Sequence, residues 1–178
     1  MEPDTDFSYD LKIPQERVAV LVGKEGSTKK EIESASGCTL EITAEGDVAI
    51  NGKDALLLFT TREIVHAIAR GFNPKIALLL LKTDYVFELL DLKDLAGKSK
   101  NNLERIKGRV IGKGGKSREE IERLTDTNIS VYGKTIGIIG LMDNVALARQ
   151  AVAMLLEGSM HKTVYHFLEK KKKEMLFG

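Results

Sequence analysis

Two short glycine-rich stretches could carry the chemistry of this sequence. They are Gly23-Lys-Glu-Gly26 and Gly112-Lys-Gly-Gly115, and we expect each to lie between two helices. Glycine lets the backbone turn sharply there and leaves the amide groups unshielded. The helix that follows starts with unpaired N–H groups and the positive end of its dipole at the same place. Such a turn can bind a phosphate backbone.

Charge favours the second stretch over the first. The whole chain has a net charge of +1, which indicates no global attraction to nucleic acid. Between Lys98 and Arg118, however, eight basic residues stand against one acidic residue, a local charge of +7. The matching stretch from Tyr9 to Lys30 has five basic and three acidic residues, a charge of only +2. The second stretch is therefore the better candidate for phosphate contact.

Enzymatic interpretations of the same residues are weaker than the interpretation as a phosphate-binding turn. The segment from Gly108 to Lys113 superficially resembles a nucleotide-binding loop, but only three residues separate Gly108 from Gly112, and Gly114 stands where a hydroxyl must hold magnesium. One cysteine, Cys38, and three scattered histidines cannot supply a closed zinc shell. We expect no catalytic residue, no metal and no cofactor.

The sequence contains a duplication that places both stretches in the same context. Residues 23–33 align with residues 112–122 at an offset of 89, and six of the eleven positions are identical. Hydrophobic periodicity predicts the order β-α-α-β-β-α in each copy, an α+β fold, with a first domain at 1–82 and a second at 83–178. The predicted elements of the two copies are 9–13, 15–22, a helix after Gly26, 39–43, 47–51 and 54–70, then 85–91, 102–111, a helix after Gly115, 128–132, 135–139 and 144–156.

Three further segments lie outside this repeat. Asn73-Pro74 predicts an N-cap with proline at the first helical position, and so a short helix at 74–81. Residues 94–102, rich in Gly, Ser, Lys and Asn, predict a surface loop. A final helix is predicted at 164–176; its four lysines, 170–173, fit a solvated face better than a phosphate contact.

With these motifs the sequence resembles the KH family of RNA-binding domains, whose GxxG loop clamps about four single-stranded nucleotides. The stretch Val110-Ile-Gly-Lys-Gly-Gly-Lys116, followed by Glu-Glu-Ile-Glu and a strand pair, carries this resemblance, and the element order matches the eukaryotic-type βααββα domain. The resemblance implies two tandem KH domains with a C-terminal helix. It implies RNA contact by the loop and an apolar groove, at Arg109, Val110, Ile111, Gly112, Lys113, Gly114, Gly115, Lys116, Arg118 and Ile129.

The spacing of the two domains and the segments 108–117 and 158–165 resemble a narrower family, the archaeal relatives of the eukaryotic ribosome-assembly factor Partner-of-Nob-one. That resemblance implies binding near the 3′ end of small-subunit rRNA. It also implies an rRNA-trimming endonuclease and the alpha subunit of initiation factor two as protein partners.

The first loop is the weaker RNA candidate, because Glu25 places a carboxylate where phosphates would lie. Two hypotheses therefore stand for this copy: a weak RNA site or a platform for protein. The alternative for the whole chain is a protein scaffold that has lost nucleic-acid binding. The residues of the weaker site are Gly23, Lys24, Glu25, Gly26 and Lys29.

Targeting signals are not evident in the sequence. Residues 1–6 are acidic where a signal peptide would be basic and then apolar, and the longest apolar run, 76–81, is too short to span a membrane. We expect a cytoplasmic protein without a membrane partner.

Overall fold

A computed structural model describes residues 6–178 and divides the chain into two compact units, Met1–Thr83 and Asp84–Gly178. Of the acidic N-terminal stretch, residues 1–5 lie outside the described part. The first unit contains β1 (Phe7–Lys12), α1 (Gln15–Val22), α2 (Ser27–Ser36), β2 (Thr39–Ile42), β3 (Asp47–Gly52), α3 (Ala55–Ala69) and α4 (Pro74–Ala77). The second contains β4 (Tyr85–Asp91), α5 (Lys93–Ala96), α6 (Lys100–Ile111), α7 (Lys116–Thr125), β5 (Asn128–Tyr132), β6 (Thr135–Leu141), α8 (Met142–Leu156) and α9 (His161–Phe177).

Each unit has one three-stranded antiparallel sheet in which the last strand is central. The order is β1-β3-β2 in the first unit and β4-β6-β5 in the second. The central strand carries the fully buried side chains, Ile50 in β3 and Ile138 in β6. Each of these residues faces a residue of both neighbouring strands in the register. The predicted α+β fold is confirmed.

The helices cover one face of each sheet because their apolar residues recur at helical spacing. Ile32 in α2 and Ile121 in α7, the aligned residues of the repeat, are both fully buried. In the second unit α9 adds a further layer against α7 and α8, with Val164 and Leu168 buried in the same core. The C-terminal helix is therefore an integral part of the second unit over its first half, while residues 169–178 are exposed.

The helices α3 and α8 end in the same hydrogen-bonded cap. The glycine after each helix, Gly71 and Gly158, has a φ near 100° and donates its N–H to the carbonyl of Ile68 or Leu155. This is the Schellman arrangement, which satisfies carbonyls that the helix leaves unpaired. The cap fixes the direction in which the chain continues after α3 and after α8.

An arginine from the first helix of each unit completes this cap. Arg17 in α1 donates to the carbonyls of Ile68 and Phe72, at 2.8 and 3.0 Å. Arg109 in α6 donates to the carbonyls of Leu155 and Ser159, at 2.9 and 2.5 Å. The acceptors are equivalent in the two units, but the arginines are three residues apart in the repeat register, since Arg17 aligns with Ile106.

Two predicted segments differ from the structure. Residues 94–102, predicted as a surface loop, contain most of α5 and the start of α6, because Ala96 is buried and Ser99 caps α6 through the N–H of Asn102. Residues 74–81 are helical as predicted, but the last turn, Leu78–Leu81, is a 3-10 helix. The Asn73 side chain accepts from the N–H of Lys75, which confirms the predicted N-cap.

Candidate nucleic-acid interface

The second glycine-rich loop is a tight turn between α6 and α7 in which three glycines have positive φ. Gly112, Gly114 and Gly115 have φ values of 73°, 62° and 80°. Gly112 combines this φ with a ψ of 174°, a region of backbone space that is essentially restricted to glycine. A Cβ atom at Gly112 would also lie 2.5 Å from the Cβ of Ser117. The loop thus approaches the start of α7 more closely than a side chain would allow.

The first glycine-rich loop has the same backbone conformation. Gly23 has φ 74° and ψ 173°, and Gly26 has φ 77°. Glu25, which occupies the position of Gly114, has φ 56° and ψ 27°, a left-handed conformation that costs a residue with a side chain about 1–2 kcal/mol. The geometry of the turn is therefore kept in both copies, and only its side chains differ.

Two lysines of the second loop are exposed and have no hydrogen-bond or ion-pair partner within residues 6–178. They are Lys113, in the middle of the turn, and Lys116, the first residue of α7. The N-cap of α7 is Gly115, so no side chain caps the N-terminus of this helix. Free ammonium groups and a positive helix end meet on one exposed turn, which is the electrostatic pattern of a phosphate-binding site.

The two arginines predicted for RNA contact are engaged within the protein. The guanidinium group of Arg109 is held by the two carbonyls at the end of α8. Arg118 donates to Glu122 at 3.1 Å, and the same Glu122 oxygen accepts the N–H of Ile129. Arg109 thus connects the last turn of α6 to the end of α8. Arg118 holds the Glu122 carboxylate at the start of β5.

Burial corrects part of the predicted apolar groove. The side chains of Val110 and Ile129 are 0% and 4% exposed and belong to the core of the second unit, so neither can contact an RNA strand in this conformation. The resemblance to KH domains implied these two residues for the groove, and it does not indicate how deeply each side chain is buried. Ile111 is partly exposed beside the loop and remains available as a groove residue.

In the first loop, Lys24 and Glu25 are exposed beside each other on the turn. Lys29, on α2, lies 3.7 Å from the carboxylate of Glu33. The turn of the first loop therefore presents Lys24 beside a carboxylate, where the turn of the second loop presents Lys113 beside a glycine. At the aligned position in the following helix the charges are reversed, with Lys30 next to Gly26 and Glu119 next to Gly115. The predicted asymmetry between the loops is a feature of their exposed side chains.

The asymmetry extends to the whole units. Residues 1–83 contain 10 basic and 13 acidic residues, a net charge of −3, and residues 84–178 contain 17 and 13, a net charge of +4. These net charges favour the second unit over the first as a site for an anionic strand.

The sequence did not indicate an exposed aromatic surface on the first unit. Tyr9 in β1 and Phe59 in α3 are 37% and 53% exposed, and the Arg62 guanidinium lies 4.6 and 5.3 Å from their ring centroids. We call this surface, together with the exposed Phe7 and Leu56, the aromatic patch. Repeat comparison could have found it: at the positions of Tyr9, Phe59 and Arg62, the second unit has Glu88, Ala146 and Arg149.

The equivalent surface of the second unit is polar. Arg149 forms an ion pair with Glu88 at 3.4 Å, in place of the contact between Arg62 and Tyr9. The aromatic patch therefore belongs to one copy only, and its role is not shared by the repeat.

Two histidines, His161 and His66, are partly buried. His161 lies with its Nε2 2.8 Å from the carbonyl oxygen of Arg109, in the last turn of α6. It thereby links α9 to the helix that leads into the second loop. In α3, burial and the nearby Arg70 and Arg62 lower the pKa of His66, while burial raises the pKa of Glu63.

Within residues 6–178, no group of three or more His, Cys, Asp or Glu side chains is arranged to hold a metal ion. Over the same residues, no helix is long and apolar enough to cross a membrane.

Family models match both units. Residues 8–70 match the KH domain, and residues 86–173 match the eukaryotic-type KH domain, also called KH-domain type I. A KH domain-containing protein of Methanocaldococcus jannaschii is 51% identical over 169 residues, which cover 93% of this chain and 74% of that protein.

Two further comparisons concern proteins whose names state a role. The RNA-binding protein pno1 of Dictyostelium discoideum is 38% identical over 117 residues, 64% of this chain and 48% of that protein, so the match spans about half of the eukaryotic relative. A chain in the crystal structure of an a/eIF2alpha–aDim2p–rRNA complex from Pyrococcus horikoshii is 39% identical, with a TM-score of 0.89 over 97% of this chain and 98% of that chain.

Proposed function

The chain belongs to the family of archaeal tandem KH-domain proteins related to PNO1 and Dim2p, and from that premise we propose that it binds single-stranded RNA during the processing of small-subunit rRNA. It acts as a binding protein and not as an enzyme. The second unit is the RNA-binding unit, and its contact is the loop Gly112–Gly115 with Lys113 and Lys116.

One observation carries this proposal. The second loop presents unpaired lysines and the uncapped start of α7 on an exposed turn, in the unit whose net charge is +4. Backbone N–H groups and lysines hold phosphates without regard to base identity, so this contact fixes the strand and leaves base recognition to the neighbouring groove. Gly112, Gly114, Gly115 and the partly exposed Ile111 complete the proposed site.

Substitution of the loop tests the site. We expect Lys113→Asp combined with Gly114→Asp to abolish RNA binding, because two carboxylates would face phosphates from an exposed turn. The fold should tolerate both changes, since Glu25 already occupies the position of Gly114 in the first loop. The matched control is Lys24→Asp in the first loop. Retained affinity of the double variant in a filter-binding assay, with unchanged circular dichroism, would contradict the assignment.

We propose the 3′ end of small-subunit rRNA as the target. Support comes from the similar chain in an rRNA complex and from the pre-rRNA-processing protein pno1 of Schizosaccharomyces pombe, which is 37% identical over 117 residues. Crosslinking the protein to cellular RNA and sequencing the fragments tests this target. Enrichment of the 3′ end of small-subunit rRNA is expected, and enrichment of unrelated messenger RNAs would refute it.

The aromatic patch favours a second function for the first unit, docking of a protein. Exposed aromatic residues with a central arginine are enriched at protein interfaces, and the negative charge of this unit disfavours RNA. We propose the alpha subunit of archaeal initiation factor two as the occupant, because the similar chain lies in a complex with that factor. A trimming endonuclease is a further partner that we propose on the family resemblance alone.

A pair of charge substitutions separates docking from RNA binding. Phe59→Glu should abolish binding of the purified alpha subunit in calorimetry and leave RNA affinity unchanged. Ala146→Glu, at the equivalent exposed position of α8, is the control and should change neither. If Phe59→Glu leaves the protein complex intact, the aromatic patch is not the docking surface.

A further inference from the structure

The second unit contains an insertion that has no counterpart in the first. In both units the residue after the first strand donates its N–H to the turn before the central strand: Ile13 to the carbonyl of Gly46 and Leu92 to that of Lys134, each at 2.8 Å. From there the chain reaches the glycine-rich loop in 10 residues in the first unit, at Gly23, and in 20 in the second. The additional residues form α5, the loop after it and the first turn of α6.

Together with the turn between β5 and β6, this insertion lines a cavity of about 390 Å³ that is open to solvent on one side. The volume lies within the range of small-ligand sites. The lining is basic, with four lysines against one glutamate. The lining residues are Ala96, Gly97, Lys98, Ser99, Lys100, Leu103, Glu104, Lys107, Gly133 and Lys134.

Three of the four lysines have ammonium groups that are free within the described part of the chain. Lys107 lies 3.6 Å from Glu104, and this pair is partly shielded because the Lys107 side chain is 17% exposed. Lys98, Lys100 and Lys134 are exposed and have no partner among residues 6–178. Lysine is a point charge that binds phosphate without strict geometry. The cavity is therefore suited to a phosphate group.

The wall of the cavity is held in place by hydrogen bonds. The side-chain amide of Asn102 donates to the carbonyls of Leu95 and Ala96, both at 3.2 Å. The Ser99 hydroxyl accepts the N–H of Asn102 at 3.2 Å, and Ala96 is buried in the core. The inserted segment is a built part of the unit, with a fixed position relative to α6.

The cavity and the Gly112–Gly115 loop lie at opposite ends of α6. This helix has 12 residues, so its ends are about 18 Å apart at the usual rise of about 1.5 Å per residue. A KH-type loop clamps about four nucleotides, and a longer strand must continue beyond them. A strand that follows α6 away from the loop arrives at the cavity.

We propose that this cavity binds a backbone phosphate of the same RNA strand, beyond the nucleotides held by the Gly112–Gly115 loop. The proposal rests on the proposed RNA-binding function. It assigns the insertion a task that the first unit lacks: it lengthens the strand that the second unit holds. The recognition is of phosphate charge, by Lys98, Lys100 and Lys134.

RNA length provides the test. In the full-length protein, Lys98→Gln combined with Lys134→Gln should not change the affinity for a tetranucleotide pool of randomised sequence. For a pool about three times as long, the slope of log K against log salt should fall by about 1.4, twice the roughly 0.7 expected for each single-strand phosphate that a lysine neutralises. Lys93→Gln, in α5 but outside the cavity lining, is the matched control.

The outcomes distinguish the two proposals. If the double glutamine variant leaves the slope for the long pool unchanged while Lys113→Asp with Gly114→Asp abolishes binding, the cavity inference is wrong and the RNA-binding function stands. If Lys93→Gln lowers the slope as much as a cavity substitution does, the effect is general charge and the cavity is again refuted. If neither pool binds the unmodified protein, the proposed function itself fails.

Discussion

Two different physical requirements place glycine in the second loop. Gly112 needs both a backbone conformation essentially restricted to glycine and an empty Cβ position against Ser117. Gly114 needs only a left-handed φ, because a Cβ atom there would meet no atom within 4 Å. The glutamate at the same position of the first loop adopts the same left-handed φ, so a residue with a side chain can meet this second requirement.

A pair of alanine substitutions measures this difference. Gly112→Ala should lower the free energy of unfolding by about 3 kcal/mol or more, because strain and a steric clash add together. Gly114→Ala should cost only about 1 kcal/mol, the lower end of the left-handed penalty. Urea unfolding, followed by the NMR resonances of residues in α7, provides the measurement. Equal losses would mean that the close approach of Gly112 to Ser117 does not constrain the loop.

His66 makes the stability of the first unit depend on pH. Its pKa in the folded protein is below the unfolded value of 6.5, so the unfolded chain binds a proton that the folded chain resists. Stability should therefore fall as the pH is lowered from about 6.5. Glu63, whose pKa is raised above 4.5, has the opposite sign: its contribution falls as the pH rises above about 4.5.

Replacement of His66 isolates its part of this dependence. His66→Gln should remove the loss of stability on going from about pH 6.5 down towards 5, and leave the opposing slope of Glu63. Urea unfolding followed by signals from α3 at several pH values measures both variants. An unchanged pH slope in the glutamine variant would exclude His66 as its source.

At the residue scale, the sequence predicted the loop but not which charges are free. Lys113 and Arg109 are equal in a charge count, yet only the structure reveals that Arg109 is held by two carbonyls some 50 positions away. Such partners depend on long-range packing, which local periodicity does not contain. Burial is a further property that depends on tertiary packing: the KH resemblance implied Val110 and Ile129 as groove residues, and both lie in the core.

At the scale of elements, the accuracy of the sequence predictions was decided at the helix ends. Sequence signals predicted the ends of α1 and the N-cap of α4, because glycine and Asn-Pro act locally. The prediction of a loop before α6 was wrong, since the Gly, Ser and Lys content of this insertion is typical of exposed turns. Its order comes from the bonds of Asn102 and the burial of Ala96, which are tertiary interactions.

The arginine that completes each helix cap provides the prediction at this scale. Arg109→Ala should lower the free energy of unfolding by about 3 kcal/mol, because two charge-assisted hydrogen bonds to the end of α8 are removed. The salt slope of RNA binding should not change. Arg17→Ala is the matched variant and should cost the first unit a similar amount.

The opposite result for Arg109→Ala would mean that Arg109 belongs to the RNA-binding site. A salt slope that falls by about 0.7 with no loss of stability would mean that its guanidinium contacts a phosphate.

On the scale of the whole molecule, one fold occurs twice with different surfaces. The first unit has a net charge of −3, a glutamate in its loop and the aromatic patch, and the second has a net charge of +4 and the loop lysines Lys113 and Lys116. The repeat itself was readable from the sequence because the loop and the helix after it retain six of eleven residues. The aromatic patch was missed because its residues come from β1 and α3, about 50 positions apart, and only a comparison of the two copies distinguishes them.

Reciprocal substitution of the loops tests this division. Glu25→Gly should stabilise the first unit by about 0.5–1 kcal/mol, the left-handed strain less the extra entropy of glycine. It should also give the first loop a phosphate contact that it lacks in the unaltered protein and so tighten RNA binding roughly fivefold, an effect on the order of 1 kcal/mol that shrinks at high salt. Gly114→Glu should weaken binding by the second loop by a similar factor. If neither exchange alters RNA affinity, the loop carboxylate is not what distinguishes the two copies.

The caps of α3 and α8 also bear on how the duplicated halves diverged. Aligned residue by residue, Arg17 faces Ile106 and Arg109 faces Val20, so a comparison of identities would count two arginines as missing. Both units nevertheless form the two hydrogen bonds from an arginine to the cap. The acceptors are main-chain carbonyls, which are present whatever the side chain at those positions. A donor can then be recruited from either of two successive turns of the opposing helix. The two copies therefore share the carbonyls that need a donor, while the position of the arginine that supplies it differs between them.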